Sequence, residues 1–241
     1  MNETVRSSPI VKAFEVAGLS IKGTKVKRQN EDSFLMNPES GLFAVADGMG
    51  GYPGGDLASH TAMETLKEVF QSPQVKSLSS SQALIRALQA ANFVIYDHAS
   101  QNPALFGMGT TVVALFFKGT LGVAHVGDSR AYVLRNQKLK ALTEDHAVTE
   151  DCSDGSFKST LSRAVGCDES VKVESKEVVF EQGDLFLLCS DGLTCSLNDR
   201  DLERILNASL PLKEKIENLV RAATLSGSTD DITVILIRVL V

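Results

Sequence analysis

Two helical patterns in each half of the chain, set between runs of strand-like sequence, constrain the fold more than any other feature. In GGDLASHTAMETLKEVF, Ala58, Ala62, Leu66 and Val69 fall on one helical face. In the next pattern Ser79 and Gln82 have capping-box spacing, and Leu84, Leu88, Ala91 and Ile95 repeat with helical period. The second pair is predicted near residues 199–206 and 212–225, where Leu212, Ile216, Leu219 and Ala223 are in phase. Pro211 suits an early helical position there and Gly227 a stop. Strand-like sequence fills residues 14–46, then TTVVALFFKG, LGVAHVGDSRAYVLRNQKLKAL, residues 171–180 and 184–189, and TVILIRVL at the end. Strands in runs and helices in pairs argue against βαβ units and for an α+β fold. Two mainly antiparallel sheets packed together, with a helix pair on each outer side, bury all four helical stripes. The expectation is a four-layer α-β-β-α sandwich.

Composition supports a packed core and narrows the partners. The chain has 241 residues, 43% of them hydrophobic and 22% charged, with a formal net charge of -6. That apolar content is enough to offset ordering entropy, which excludes global disorder. The acidic balance argues against a nucleic-acid partner, and no apolar run reaches the roughly 18–20 residues of a membrane span. MNETVRSSPIVKAFEV lacks the apolar segment of a signal peptide, so a cytoplasmic location is expected. Cys152, Cys167, Cys189 and Cys195 form neither a CxxC pair nor a zinc-type spacing. With no linker or repeat, residues 14–241 are read as one domain behind a flexible arm at 1–13, with a short aperiodic flap at about 146–166.

Two segments share one design. GLFAVADGMGG and DLFLLCSDGLT each run through a short apolar strand and end in Asp-Gly, at Asp47-Gly48 and Asp191-Gly192. Asp128 follows another strand in AHVGDSR, Asp230-Asp231 precede the last strand, and Glu31-Asp32 precede SFLM. Each Asp-Gly alone reads as a turn dipeptide. Several acids at the ends of core strands repel one another and call for a counter-charge. Oxygen ligands without His or Cys companions suit Mg²⁺ or Mn²⁺ rather than zinc. A pair of such ions is a standard means of phosphoester hydrolysis. Arg28, three residues before Glu31, is a bidentate cation for a phosphate, or else a solvated surface arginine.

RQNED at 28–32, VADGMGG at 45–51, GDSRAY at 127–132, CSDGLT at 189–194 and STDDITVI at 228–235 occur in that order. TEDHA at 143–147 and LSRAVG at 161–166 lie between them. This ordered set resembles the metal-dependent PPM (type-2C) protein serine/threonine phosphatases over nearly the whole chain, in the form of the bacterial single-domain branch. The resemblance implies a β-sandwich flanked by helix pairs. It implies hydrolysis of phosphoserine and phosphothreonine by a water bridging two Mn²⁺ or Mg²⁺ ions, with a third, weaker metal site. By resemblance, Asp47 bridges two metals and Gly48 offers its carbonyl; Asp191 and Asp230 complete one metal's shell. Glu31 and Asp32 match the acidic pair near the other metal, Arg28 the phosphate-binding arginine, and Asp128, with Asp191, the holder of the third metal. The expected partners are phosphoprotein substrates of an opposing Ser/Thr kinase, and the expected state is a monomer.

This sequence departs from the family pattern in four places. Met49 stands where some members have the histidine of DGH, which leaves protonation of the leaving oxygen to water. Asp231 replaces the usual Asn of a DN pair, to tighten metal binding or merely to face solvent. Cys195 takes the place of an acid found in some members, and the flap is short, which opens the cleft. His60, His98, His125 and His146 are assigned no catalytic role, and Tyr52 either lines the cleft or packs. The alternatives are a catalytically silent phosphoprotein-binding domain and a phosphatase of small phosphate esters.

Overall fold

The computed structural model describes residues 13–24, 29–49, 54–151 and 157–241. The expected arm at 1–13, Arg28 and Tyr52 therefore fall outside the described residues, apart from Ala13. The strands are β1 (Phe14–Ile21), β2 (Asp32–Asn37), β3 (Leu42–Asp47), β4 (Val112–Lys118), β5 (Thr120–Val126), β6 (Arg130–Arg135), β7 (Lys138–Ala141), β8 (Ala147–Asp151), β9 (Phe157–Leu161), β10 (Glu174–Val178), β11 (Leu185–Cys189) and β12 (Ile232–Val239). The α-helices are α1 (Gly55–Gln71), α2 (Ser80–Gln101), α3 (Asp191–Thr194), α4 (Asp199–Asn207) and α5 (Leu212–Leu225).

The strands form two five-stranded sheets, in the orders β1-β12-β11-β6-β7 and β10-β5-β4-β3-β2, and every ladder is antiparallel. Side-chain alternation on β3 shows why the layers stack. Phe43 and Val45 point between the sheets, where they meet Val113, Leu115, Phe186, Leu188, Ile235 and Ile237. Leu42, Ala44 and Ala46 point outward under α1 and α2, against Ala58, Ala62, Leu66, Leu84 and Leu88. The other sheet does the same with α4 and α5, whose Leu202, Leu206, Ile216 and Leu219 cover Leu187, Val234 and Leu236. Strands buried on both faces read as continuous apolar runs. The four-layer α-β-β-α sandwich expected from the sequence is the observed one.

Two local features differ from expectation. The aperiodic flap contains a two-stranded hairpin, β8 with β9, because short strands paired only to each other need no apolar period. The segment after Cys189 turns at once into the short helix α3, with Ser190 as its N-cap residue. Four residues are too few to show a helical period.

Antiparallel order places the site. The end of β3 pairs with the start of β2, Asp47 opposite Asp32. The end of β11 lies beside the start of β6, Cys189 opposite Arg130, and near the start of β12. The chain crosses from one sheet to the other between Val126 and Arg130. All these termini lie at the same end of the sandwich.

Candidate metal centre

Asp32, Asp47, Asp128 and Asp191 converge at that end. Burial pushes the Asp47 carboxyl well above its ordinary value, and the charges of Asp32, Asp191 and Asp128 push it further. Burial likewise raises Asp32 to about 7; hydrogen bonds from Thr233 and Ser190 oppose the rise, while Asp231 and Asp191 add to it. Asp128 is raised to about 7, first by burial and then by Asp191 and Asp145. Mutual repulsion of this kind is what a cation relieves.

The surrounding hydroxyls fix these acids. The Ser190 hydroxyl donates to Asp32 Oδ2 at 2.7 Å and accepts from the Thr233 amide at 2.9 Å, which joins the two sheets at the site. The Asp47 amide donates to Thr111 Oγ1 at 3.1 Å, and that hydroxyl lies 2.7 Å from Ser129 Oγ. The Thr110 hydroxyl donates to the Asp47 carbonyl at 2.8 Å. Sequence reasoning passed over all three: Ser190 lies within CSDGLT, whereas Thr110 and Thr111 stand at the start of the strand-like TTVVALFFKG, outside every motif, and nothing in the sequence marks them as partners of Asp47. Asp32 Oδ1 remains buried without a hydrogen-bond partner. An orphaned carboxylate oxygen among like charges fits a hard cation, which takes oxygen ligands of this type.

The Asp-Gly glycines are required by close packing. A Cβ on Gly48 would stand 2.2 Å from the Gly55 carbonyl oxygen, and one on Gly192 2.0 Å from the Asp231 carbonyl oxygen. Glu31 contributes its backbone, since its carbonyl accepts from the Gly48 amide at 3.0 Å. Asp231 is buried, with Oδ1 accepting from the Gly23 amide and Oδ2 from the Glu31 amide, each at 2.8 Å. It does not face solvent: it ties the loop before β12 to the segment carrying Glu31, and its charge is felt at Asp32. Asp230 is half-buried, and its Oδ1 accepts from the Asp231 amide at 3.0 Å. Met49 Sδ meets Cys167 Sγ at 4.0 Å, so its side chain turns toward the segment after β9. Cys195 Sγ lies 3.6 Å from Asp191 Oδ2, and burial pushes its thiol up to about 12.

A second layer stands behind Asp128. Arg130 forks onto Asp145, with Nε to Oδ1 at 2.8 Å and Nη2 to Oδ2 at 2.7 Å, joining GDSR to TEDHA. His125 and His146 stack with centroids 4.4 Å apart. With Glu174 they bring potential ligand atoms within 4.8 Å of one another, a set able to hold a metal ion. His125 Nε2 and both ring nitrogens of His146 already have hydrogen-bond partners, however. His125 Nε2 lies 2.7 Å from the Glu144 carbonyl, and His146 Nδ1 accepts from the Gly127 amide at 3.2 Å.

Residues 24–229 match the family model described as "Protein phosphatase 2C". The chain is 34% identical over 233 residues to the serine/threonine phosphatase stp of Listeria welshimeri, covering 89% of this chain and 92% of that protein. It superimposes on the serine/threonine phosphatase PstP/Ppp of Mycobacterium tuberculosis with a TM-score of 0.80 at 30% identity, covering 95% of this chain and 99% of that one. A structure of the PstP catalytic domain in complex with two manganese ions matches with a TM-score of 0.77 at 30% identity and the same coverage.

Proposed function

Because the chain belongs to the protein phosphatase 2C (PPM) family and is a metal-dependent protein-serine/threonine phosphatase using Mn²⁺ or Mg²⁺, we propose that its metals are held by the strand-end acids. Asp47 and the Gly48 carbonyl are central, Asp191 and Asp230 lie on one side, and Glu31 and Asp32 on the other. Asp128 serves with Asp191 an outer, weaker ion. The cations, when bound, acidify the attacking water and neutralise charge on the phosphoryl oxygens. Arg28 is the residue for gripping the phosphate, its planar fork matching two oxygens. With Met49 after Gly48, no side chain of that loop position donates a proton to the leaving oxygen, so water does. The single observation that carries this reading is the convergence of Asp32, Asp47, Asp128 and Asp191, each of the first three held above its ordinary pKa.

A phosphothreonine peptide with Mn²⁺ is the substrate for the test, and turnover should vanish when the metal is chelated. Activity no higher than in a metal-free control, from folded protein, overturns the reading. Comparing phosphopeptide with free phosphothreonine separates a protein substrate from a small ester. Residues 14–241 form one domain in this reading, supported by the shared core between the sheets. The protein then acts as a cytoplasmic monomer opposing a serine/threonine kinase. No helix among the described residues is long and apolar enough to cross a membrane.

A further inference from the structure

His146 lies in TEDHA, outside every role assigned above, and is 5% exposed. Its contacts converge on one peptide. The His146 amide donates to the Gly127 carbonyl at 3.0 Å, and the Gly127 amide donates back to His146 Nδ1 at 3.2 Å. Both backbone groups of the residue before Asp128 are therefore bound by a single residue. Gly127 has a φ of 105°, open to glycine alone, and a Cβ there would meet the Thr111 side chain at 2.6 Å. A turn of this kind, at the point where the chain changes sheets, keeps its shape only while its polar groups are held. On its other side the His146 carbonyl accepts from the Ser162 amide at 2.9 Å, just past the return strand β9.

The tautomer follows from these bonds. With Nδ1 accepting, the ring proton is on Nε2, which donates to Glu174 Oε2 at 3.3 Å. Stacking on His125 fixes the ring plane. An ion at Nε2 would require that proton to leave while Nδ1 still accepts, which a neutral imidazole does not allow.

We propose that His146 is a positioning residue that holds the Gly127–Asp128 turn for the outer metal and ties the end of the flap hairpin to the same turn. The proposal rests on the reading of Asp128 as an acid of that metal. Partners one layer behind metal ligands set the ligands' orientation, and their loss costs about 10- to 100-fold in metal affinity.

Mn²⁺ binding to the whole protein, followed calorimetrically, resolves the tight and weak classes of site without recourse to activity. His146→Gln keeps a donor where Nε2 was and loses the acceptor for Gly127. His146→Asn keeps an acceptor where Nδ1 was and loses the contact to Glu174. The expected result is that Gln weakens the weak class about 10- to 100-fold, leaves the tight class unchanged and speeds exchange of the Gly127 amide. Asn should restore most of both. Asp128→Asn should remove the weak class. If Asp128→Asn does so while Gln matches the wild type, the role of His146 falls and that of Asp128 stands. If Asp128→Asn changes nothing, both fall. Should the Gln variant not fold, imidazole ¹⁵N spectra of the wild type decide. An Nδ1–H tautomer at His146, or loss of the Nε2 proton on adding Mn²⁺, overturns the proposal; an Nε2–H tautomer kept in Mn²⁺ supports it.

Discussion

At the scale of single residues, the acids and the glycines beside them carry different parts of the site. Asp47→Asn removes charge at the proposed centre while leaving core volume unchanged, so turnover should fall to the metal-free background with the circular dichroism spectrum and melting transition retained. Retained turnover would displace Asp47 from that centre. Gly192→Ala acts otherwise. Its new Cβ would press on the Asp231 carbonyl oxygen from 2.0 Å, so α3 or the start of β12 must shift, at a cost of about 1–3 kcal/mol. Urea denaturation should show that loss, and Mn²⁺ affinity should fall with it, because Asp191 is the preceding residue. The Asp-Gly pairs were legible in sequence because a strand end and a ligand lie within one short segment. The role of Asp231 was not, since its two acceptor bonds reach residues 208 and 200 positions away. His146 escaped for the same reason: what marks it is its distance from Gly127, which spacing along the chain does not encode.

At the scale of elements, legibility followed the locality of the forces. The start of α2 was readable because its stabilising bonds are local: Ser79 Oγ accepts from the Gln82 amide at 3.4 Å, and Gln82 Oε1 accepts from the Ser79 amide at 3.1 Å. Ser79→Ala should cost about 1 kcal/mol, read as a lower denaturation midpoint, with the metal dependence of turnover unchanged because α2 begins away from the acids. A shift in that dependence would mean that the helix start is coupled to the site. β3 and β12 were legible as buried strands from their apolar runs, while β8 and β9, lying outside the sandwich, bore no such imprint. The layers followed from helical stripes that must be covered. Which strand neighbours which did not, because several orders bury the same stripes; the pairing of β1 with β12 joins opposite ends of the chain.

At the scale of the whole molecule, the acids link folding to metal and pH. Asp32 and Asp128 move from an ordinary value of 3.8 to about 7 in the metal-free fold, and Asp47 rises well above its own. A carboxyl whose folded pKa exceeds its unfolded one keeps its proton in the fold where the open chain has released it. Between about pH 4 and 7 the metal-free fold therefore binds more protons than the unfolded chain, and stability falls as pH rises through that window. Bound Mn²⁺ reverses the sign. It requires ionised carboxylates, so its affinity and its stabilisation grow as pH rises, and binding near pH 6 releases protons. Thermal melts from pH 4.5 to 7.5 should thus fall steadily in chelator, while the gap between melts with and without Mn²⁺ widens. Calorimetry near pH 6 in buffers of different ionisation enthalpy should register the protons. A melting curve in chelator that rises with pH across that window, or a Mn²⁺ titration with no buffer dependence, would show that the acids are already ionised in the empty fold. The mild acidic excess of the chain, a formal charge of -6, is then charge that the working protein largely cancels with its cations.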